Sequence, residues 1–277
     1  MDSESIKKSV REHYASVARN ESSCCASPAV AATNCCGVAD VETVGRIIGY
    51  SREEMAAVPE GANLGLGCGN PLALSDLKQG ETVVDLGSGA GFDCFLAARK
   101  VGPTGRVIGV DMTPDMIEKA RGNAKKAEAS HVEFRLGEIE HLPVADGSAD
   151  VIISNCVINL STDKPQVFRE ALRVLKPGGR LMVSDLVLNR TLPRSVMESV
   201  AAYAGCISGA MLKEDYLLAM REAGFEDVAV LAESGYPIGS MNPDTSELAA
   251  LAEGLSEADV RAAADSVVSV KVRAVKR

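Results

Sequence analysis

An open α/β sheet, mostly parallel and covered by helices on both faces, with a smaller C-terminal α+β extension, is the fold class this sequence predicts. Three observations carry it. Short apolar runs alternate with helical patterns between residues 82 and 187. A glycine-rich turn, "DLGSGAG", joins the first of those runs directly to a helix. After about residue 188 the alternation loosens. The chain accordingly divides into a helical and cysteine-rich segment over 1–60, an α/β domain over 61–188 and a C-terminal α+β region over 189–277.

The elements follow in order. Residues 1–20 have helical spacing, with Ile6, Val10, Tyr14 and Val17 on one stripe. Residues 21–40, "ESSCCASPAVAATNCCGVAD", are small, polar and cysteine-rich and read as a loop. Ser51 and Glu54 form a capping box for a short helix over 51–57. Strand 82–86, helix 91–100, strand 106–110 and helix 114–127 make a βαβα unit, with Pro114 in the last helix's first turn. "HVEFRLGE" (131–138) and "ADVIISNCVIN" (149–159) are the next strands. "PQVFREALRVLKPGG" is a helix stopped by Lys, Pro and two glycines, and 180–187 is a fifth strand. Strands spaced by helices in this way build a parallel sheet with both faces covered. Beyond it, 213–225 is a helix, 226–234 a strand and 256–267 a helix. The last run, "VVSVKVRAVKR", is a strand whose basic residues suit a sheet edge.

Composition excludes several functions. With 277 residues, a net charge of −9, no Trp and 4% aromatics, the chain has neither a phosphate-tracking surface nor stacking platforms, so no nucleic acid partner is expected. No apolar run reaches the ~20 residues that cross a bilayer, so no membrane is expected either. The N-terminus lacks a signal-type apolar core, which points to a cytoplasmic protein. In that compartment eight cysteines are thiols for packing, metal or chemistry rather than a disulfide framework.

The turn "DLGSGAG" places Gly87, Gly89 and Gly91 between strand and helix, where the backbone can approach a ligand. Asp111 ends the next strand, where an acid can accept both hydroxyls of a ribose. Together they predict a nucleoside cofactor. The dinucleotide pattern G-x-G-x-x-G is not met, because the third glycine arrives one residue early.

"VVDLGSGAG" and "LKPGG" resemble motifs of the Rossmann-like class I methyltransferases, which use S-adenosyl-L-methionine. The resemblance implies that Asp85 lies near the methionine part and that Asp111 binds ribose. It further implies that Gly87, Ser88, Gly89, Gly91 and Met112 belong to the cofactor site, and that Ile139 and Glu140 flank adenine.

The end of the fourth strand, where a doubly wound sheet meets its ligands, reads "SNCVINL" and offers no acid or histidine as a base. It offers Cys156. Cys68, in "NLGLGCGNP", sits on what reads as a flexible polar loop, and Cys206 lies in the small-residue stretch "GCISGA". Thiolates select soft, thiophilic centres. Three of them suit trigonal-pyramidal As(III), whose lone pair can take up a methyl group without a general base. Taken singly, Cys156 and Cys206 equally suit plain packing, and Cys94, beside Phe95, reads as a core cysteine.

"NLGLGCGNP", "NCVINL" and "GCISGA" resemble the three cysteine motifs of arsenite S-adenosylmethionine methyltransferases. That resemblance implies an arsenite or thiol-bound As(III) substrate held by Cys68, Cys156 and Cys206. It also implies turnover by a thiol reductant of thioredoxin or glutathione type, and mono-, di- and in some cases trimethylated products. Family members carry a further N-terminal cysteine able to pair with the one matching Cys68. Here two vicinal pairs, Cys24–Cys25 and Cys35–Cys36, could match. The nearer pair, Cys35 and Cys36, is preferred as the redox candidate, and a zinc site built from all four is the alternative. A methyltransferase for a small organic acceptor such as a quinone or sterol, and a metalloid-binding protein without transfer, are the rival readings.

Overall fold

The computed structural model describes residues 2–19, 41–192, 209–235 and 265–277. The loop expected over 21–40, most of the late helix over 256–267, and Cys24, Cys25, Cys35, Cys36 and Cys206 lie outside the described residues. Among those described, seven strands form one sheet in the order β3-β2-β1-β4-β5-β7-β6. Strands β1 (Thr82–Leu86), β2 (Arg106–Asp111), β3 (Val132–Leu136), β4 (Ala149–Asn155) and β5 (Leu175–Leu188) run parallel. Strands β6 (Glu226–Gly235) and β7 (Val267–Val275) add antiparallel, so the C-terminal region completes the same sheet. The α/β, Rossmann-like architecture is therefore as expected.

Alternate residues of the central strands sort to two cores. Val84, Leu86 and Ile152 pack on one face with Phe168 and Tyr216. Val83, Val151 and Ile153 pack on the other with Cys94, Phe95 and Leu96. Period-two alternation with both faces apolar is what a strand buried between helix layers requires. Helices α4 (Phe92–Val101) and α5 (Pro114–Lys126) connect the first three strands, and α6 (Lys164–Val174) leads into β5. Helix α7 (Lys213–Glu222) precedes β6. A third cluster lies at one end of the sheet, where Val10 of α1 (Ser3–Ala18) meets Cys68, Cys156, Leu186 and Val267. No helix among the described residues is long and apolar enough to cross a membrane.

Several boundaries differ from expectation. Helix α3 (Arg52–Ala56) has the capping box of Ser51 and Glu54 as predicted, but α2 (Val41–Ile47) had no clear sequence signal. Strand β5 begins at Leu175, five residues before the expected start, because Lys176 to Gly179 form an irregularity against β4 rather than a loop. Strand β4 stops at Asn155, since Cys156 takes a positive φ of 59°. The largest correction concerns the last strand. β7 is not the edge: it pairs with β5 on one side and β6 on the other. Its first half, Val267 to Val270, is buried, and Lys276 beyond it donates to the carbonyls of Leu172 and Leu175 at 2.7 Å. The basic residues serve the sheet's lower end while the valines decide the strand's position. The exposed edge is β6.

Candidate active site

One cleft, with about 1080 Å³ of empty space, opens over the carboxyl ends of β1, β2 and β4. That is room for a nucleoside-sized ligand. Its floor is the β1–α4 turn. Gly87 there has φ +65°, and a Cβ would overlap Val157, so the chain must be bare to pass between strand end and cleft. Gly91 caps α4 from the left-handed region. Ser88 lines the cleft, and its hydroxyl is a buried polar atom with no hydrogen-bond partner in the protein, an exception to the rule that buried polar groups are paired.

Asp111 is held rigidly at the end of β2. Its Oδ2 accepts from Gly89 N at 3.0 Å and its Oδ1 from Thr113 N at 2.8 Å. Met112, Ile139 and Glu140 also line the cleft. Glu140 accepts from Ser161 Oγ at 2.6 Å, and Lys7 of α1 reaches Glu138 at 2.6 Å and Glu140 at 3.9 Å. Lys7, Val10 and Tyr14 thus place α1 along the cleft's wall.

Three carboxyl groups share this space. Burial pushes Asp85 well above the usual carboxylate range, and neighbouring Asp93 adds to it. Burial also raises Asp93, to about 6, against the opposing hydrogen bonds from Tyr50 (2.7 Å) and Asn155 (3.1 Å). Asp111 is raised by burial too, opposed by the backbone N–H groups of Thr113 and Gly89. Acids crowded and desolvated in this way have their charged forms restored by a cation. S-adenosylmethionine carries a sulfonium and an ammonium, so the donor set, the orphaned Ser88 hydroxyl and the glycine cradle all fit it.

Next to this cleft lies a second centre. One ligand atom each from Cys68, Cys156 and Asp185 lies within 4.8 Å of the others, and all three residues are buried. Cys156, which lines the cleft, donates its N–H to Ser184 O at 2.8 Å. A left-handed backbone on a non-glycine residue is a strained feature of the kind found at functional sites. Asp185 is oriented by Leu186 N (2.9 Å) and Tyr216 OH (3.1 Å), and its burial raises it to about 7. Burial, followed by the charge of Asp185, in turn drives Tyr216 well up.

Cys68 is not on an open flexible loop. It is 3% exposed. Its N–H donates to Asn155 Oδ1 at 3.1 Å, and its carbonyl accepts from Ser269 Oγ at 2.9 Å. The flanking glycines serve closeness rather than motion: a Cβ on Gly69 would overlap Ser184 Oγ, and one on Gly67 would sit 2.8 Å from the Asn155 amide. Cys94 is fully buried as expected, with Sγ 3.2 Å from Asp85 Oδ2.

The structure thus gathers Asp85, Gly87, Ser88, Gly89, Asp111, Met112, Ile139, Glu140 and Cys156 around one cleft, with Cys68 beside Cys156. Sequence reasoning missed Asp185, Tyr216, Asp93, Tyr50 and Asn155. Asp185 had a usable signal, a lone acid in the apolar strand "RLMVSDLV". Asp93 had none, because an acid in a helix's first turn is ordinary. Asn155 carries the most contacts of the group: its amide nitrogen also donates to Tyr50 OH (2.9 Å) and Gly69 O (2.8 Å), tying the cofactor cleft to the Cys68 loop.

A methyltransferase domain family matches residues 77–224. An arsenite methyltransferase of Halobacterium salinarum is 49% identical over 83% of this chain and 59% of its own length. Another, from Aquipseudomonas alcaligenes, is 42% identical over 69% of this chain and 55% of its own. The chain therefore spans less than two thirds of the length of these curated relatives. The crystal structure of an arsenic(III) S-adenosylmethionine methyltransferase from Chlamydomonas reinhardtii superimposes with a TM-score of 0.62 at 33% identity, covering 83% of this chain and 72% of that one. Glycine turn, strand-end acid and paired thiols thus occur on a chain alike in sequence and fold to these proteins, and the chain belongs to the arsenite methyltransferase family of class I S-adenosylmethionine-dependent methyltransferases.

Proposed function

We propose that this protein transfers methyl groups from S-adenosylmethionine to thiolate-bound As(III), giving mono-, di- and, at the end of the series, trimethylated arsenic. The observation that carries this reading is the pair of buried thiols, Cys68 and Cys156, set beside a cleft that Cys156 itself lines. When bound, S-adenosylmethionine supplies an electrophilic sulfonium methyl group. Asp111 holds the ribose hydroxyls, Asp85 and Asp93 balance the cofactor's positive charge, Ser88 satisfies its orphaned hydroxyl on it, and Ile139 and Glu140 flank adenine.

Arsenite loads by exchange: each thiol forms an As–S bond, and its proton leaves with the displaced hydroxide as water. Cys206 is the third thiolate in this reading. Arsenic held by three sulfurs keeps one lone pair, and fixed sulfurs fix its direction. In-line attack tolerates little error, since a shift of about 1 Å costs on the order of 100-fold in rate. Burial of the site also keeps water from competing. Methyl uptake oxidises arsenic formally by two electrons. Two thiols return them as a disulfide, which a reductant of thioredoxin or glutathione type then reopens. Cys35 and Cys36 are the candidates to exchange with Cys68.

One assay separates this reading from its rivals. Protein is incubated with S-adenosylmethionine, arsenite and a thiol, and the arsenic is speciated. Methylated arsenic is the expected product. Tight arsenite binding without methylation would make the protein a metalloid binder, and neither binding nor transfer would favour an organic acceptor. Serine at both Cys35 and Cys36 should spare the first methylation more than later rounds. Loss of the first turnover as well would place one of them in the primary site.

A further inference from the structure

The buried centre contains more than the two thiols. Asp185 supplies a hard oxygen donor within the same 4.8 Å span as the two sulfurs, and As(III), a soft centre, does not call for it. We propose that Cys68, Cys156 and Asp185 form a binding site for a thiophilic divalent cation of the zinc type, and that this cation competes with arsenite. The inference concerns binding alone and stands whether or not methyl transfer occurs.

The donor chemistry fits. Zinc accepts thiolate at about 2.3 Å and carboxylate at about 2.0–2.2 Å, in tetrahedral sites of mixed ligands. Two sulfurs on one tetrahedral zinc stand about 3.8 Å apart on those bond lengths, so ligand atoms already within 4.8 Å of one another close on the ion by short side-chain shifts. The carboxylate is oriented from outside the site. Leu186 N holds one oxygen and Tyr216 OH the other, at 2.9 and 3.1 Å. Such outer partners are what fix a metal ligand's direction. All three residues are buried, so the ion would exchange little with bulk water, while Cys156 gives it access from the cleft. Three protein ligands leave a fourth position open. On binding, the two thiols each release a proton to solvent, Asp185 releases its own where it holds one, and no electron moves.

Arsenite and zinc then share Cys68 and Cys156 but part company at the third donor. The cation uses Asp185, whereas arsenic in the reading above uses a third sulfur. This difference makes the proposal testable apart from catalysis. Zinc affinity is measured without S-adenosylmethionine, by competition with a chromophoric zinc indicator, on the full chain with Cys24, Cys25, Cys35 and Cys36 replaced by serine. Cobalt is then used as a spectroscopic substitute, since thiolate ligation gives a charge-transfer band. One equivalent should bind, with sulfur-to-cobalt absorption. Cys156→Ser and Cys68→Ser should each weaken zinc at least 10-fold and remove most of that band. Asp185→Asn should weaken zinc at least 10-fold while leaving arsenite affinity within about 2-fold. Arsenite should displace bound zinc mole for mole. Zinc affinity unmoved by Cys156→Ser or by Asp185→Asn would overturn the site, and so would zinc that stays bound while the zinc-free protein takes up arsenite; no arsenite uptake by the zinc-free protein would overturn the arsenite reading alone. If Asp185→Asn does not fold, as judged by circular dichroism, the two cysteine variants and the displacement experiment still decide. Absence of methylation would leave these results intact, and absence of zinc binding would leave methylation intact.

Discussion

The two halves of the site are built in opposite ways. The floor of the cofactor half, with its glycine turn and acids, comes from one continuous stretch, residues 85 to 140, folded as consecutive strand–helix units, and α1 adds only a wall. The thiol half is assembled from residues 68, 156, 185 and 216, which meet only because the sheet brings a loop, two strand ends and a helix together. Contiguity makes the first half a recognisable pattern and gives it local backbone partners. Dispersion makes the second depend on packing, with Asn155 as the hinge between them. Damage to the first half should therefore weaken binding of one ligand, and loss of a thiol from the second should strike the acceptor chemistry while sparing the cofactor.

The sharpest way to break that division is Cys156→Ser. Volume is nearly preserved, so S-adenosylmethionine affinity should stay within about 2-fold. A hydroxyl is a hard donor and is not ionised at neutral pH, so arsenic loses a bond and its lone pair loses its direction. Single-turnover methylation of arsenite should fall by on the order of 1,000-fold, allowing for a lost donor on top of misplacement. Wild-type turnover in this variant would remove the thiol mechanism altogether.

Asp111→Ala tests the other half. If Asp111 binds ribose as proposed, two charge-assisted hydrogen bonds disappear, at a cost on the order of 2–3 kcal/mol, or about 100-fold in cofactor affinity. Arsenite affinity, measured in the same titration series, should not move. A parallel loss of both would show that the halves are not separable.

The legibility of the sequence followed the same line. Strands β1 to β4, helices α4 and α5, the glycine turn and Asp111 were readable because apolar periodicity and turn chemistry act over a few residues. The position of β7 was not, since a strand's place in a sheet depends on which neighbours it can bury its valines against. Cys156 was readable as a thiol at a strand end. The burial of Cys68 was hidden, because glycines that permit close approach look the same in sequence as glycines that permit motion. Asp185 and Tyr216 were hidden for a further reason: their partnership spans 31 residues and two elements. Tyr216→Phe measures what that partnership contributes. Losing a buried hydroxyl that serves a buried carboxyl should cost about 1–3 kcal/mol of stability in urea unfolding, with S-adenosylmethionine affinity unchanged.

The smallest expected effect lies in the pH dependence of the cofactor half. Asp93 is raised to about 6 by burial, opposed by the hydrogen bonds of Tyr50 and Asn155. The charge of Glu54 also raises it and that of Lys100 lowers it, while Asp93 in turn raises its neighbour Asp85. An aspartate in the unfolded chain titrates near 3.9. Between these values the folded protein holds a proton that the unfolded chain has released, so stability is fully present below about 4 and declines as pH rises towards about 6. The slope is at most about 1.4 kcal/mol per pH unit for one group. Asp93→Asn should flatten that part of the curve in urea titrations of the ligand-free protein at pH 4.5 and 6.5. S-adenosylmethionine should have the opposite dependence. Its positive charge is drawn to the ionised carboxylate, so affinity should strengthen as pH rises through about 6, and the Asn variant should lose that rise. If the variant kept both pH dependences, Asp93 would be only a hydrogen-bonding prop for Tyr50 and Asn155, and the cationic ligand would owe its charge balance to Asp85 and Asp111 instead.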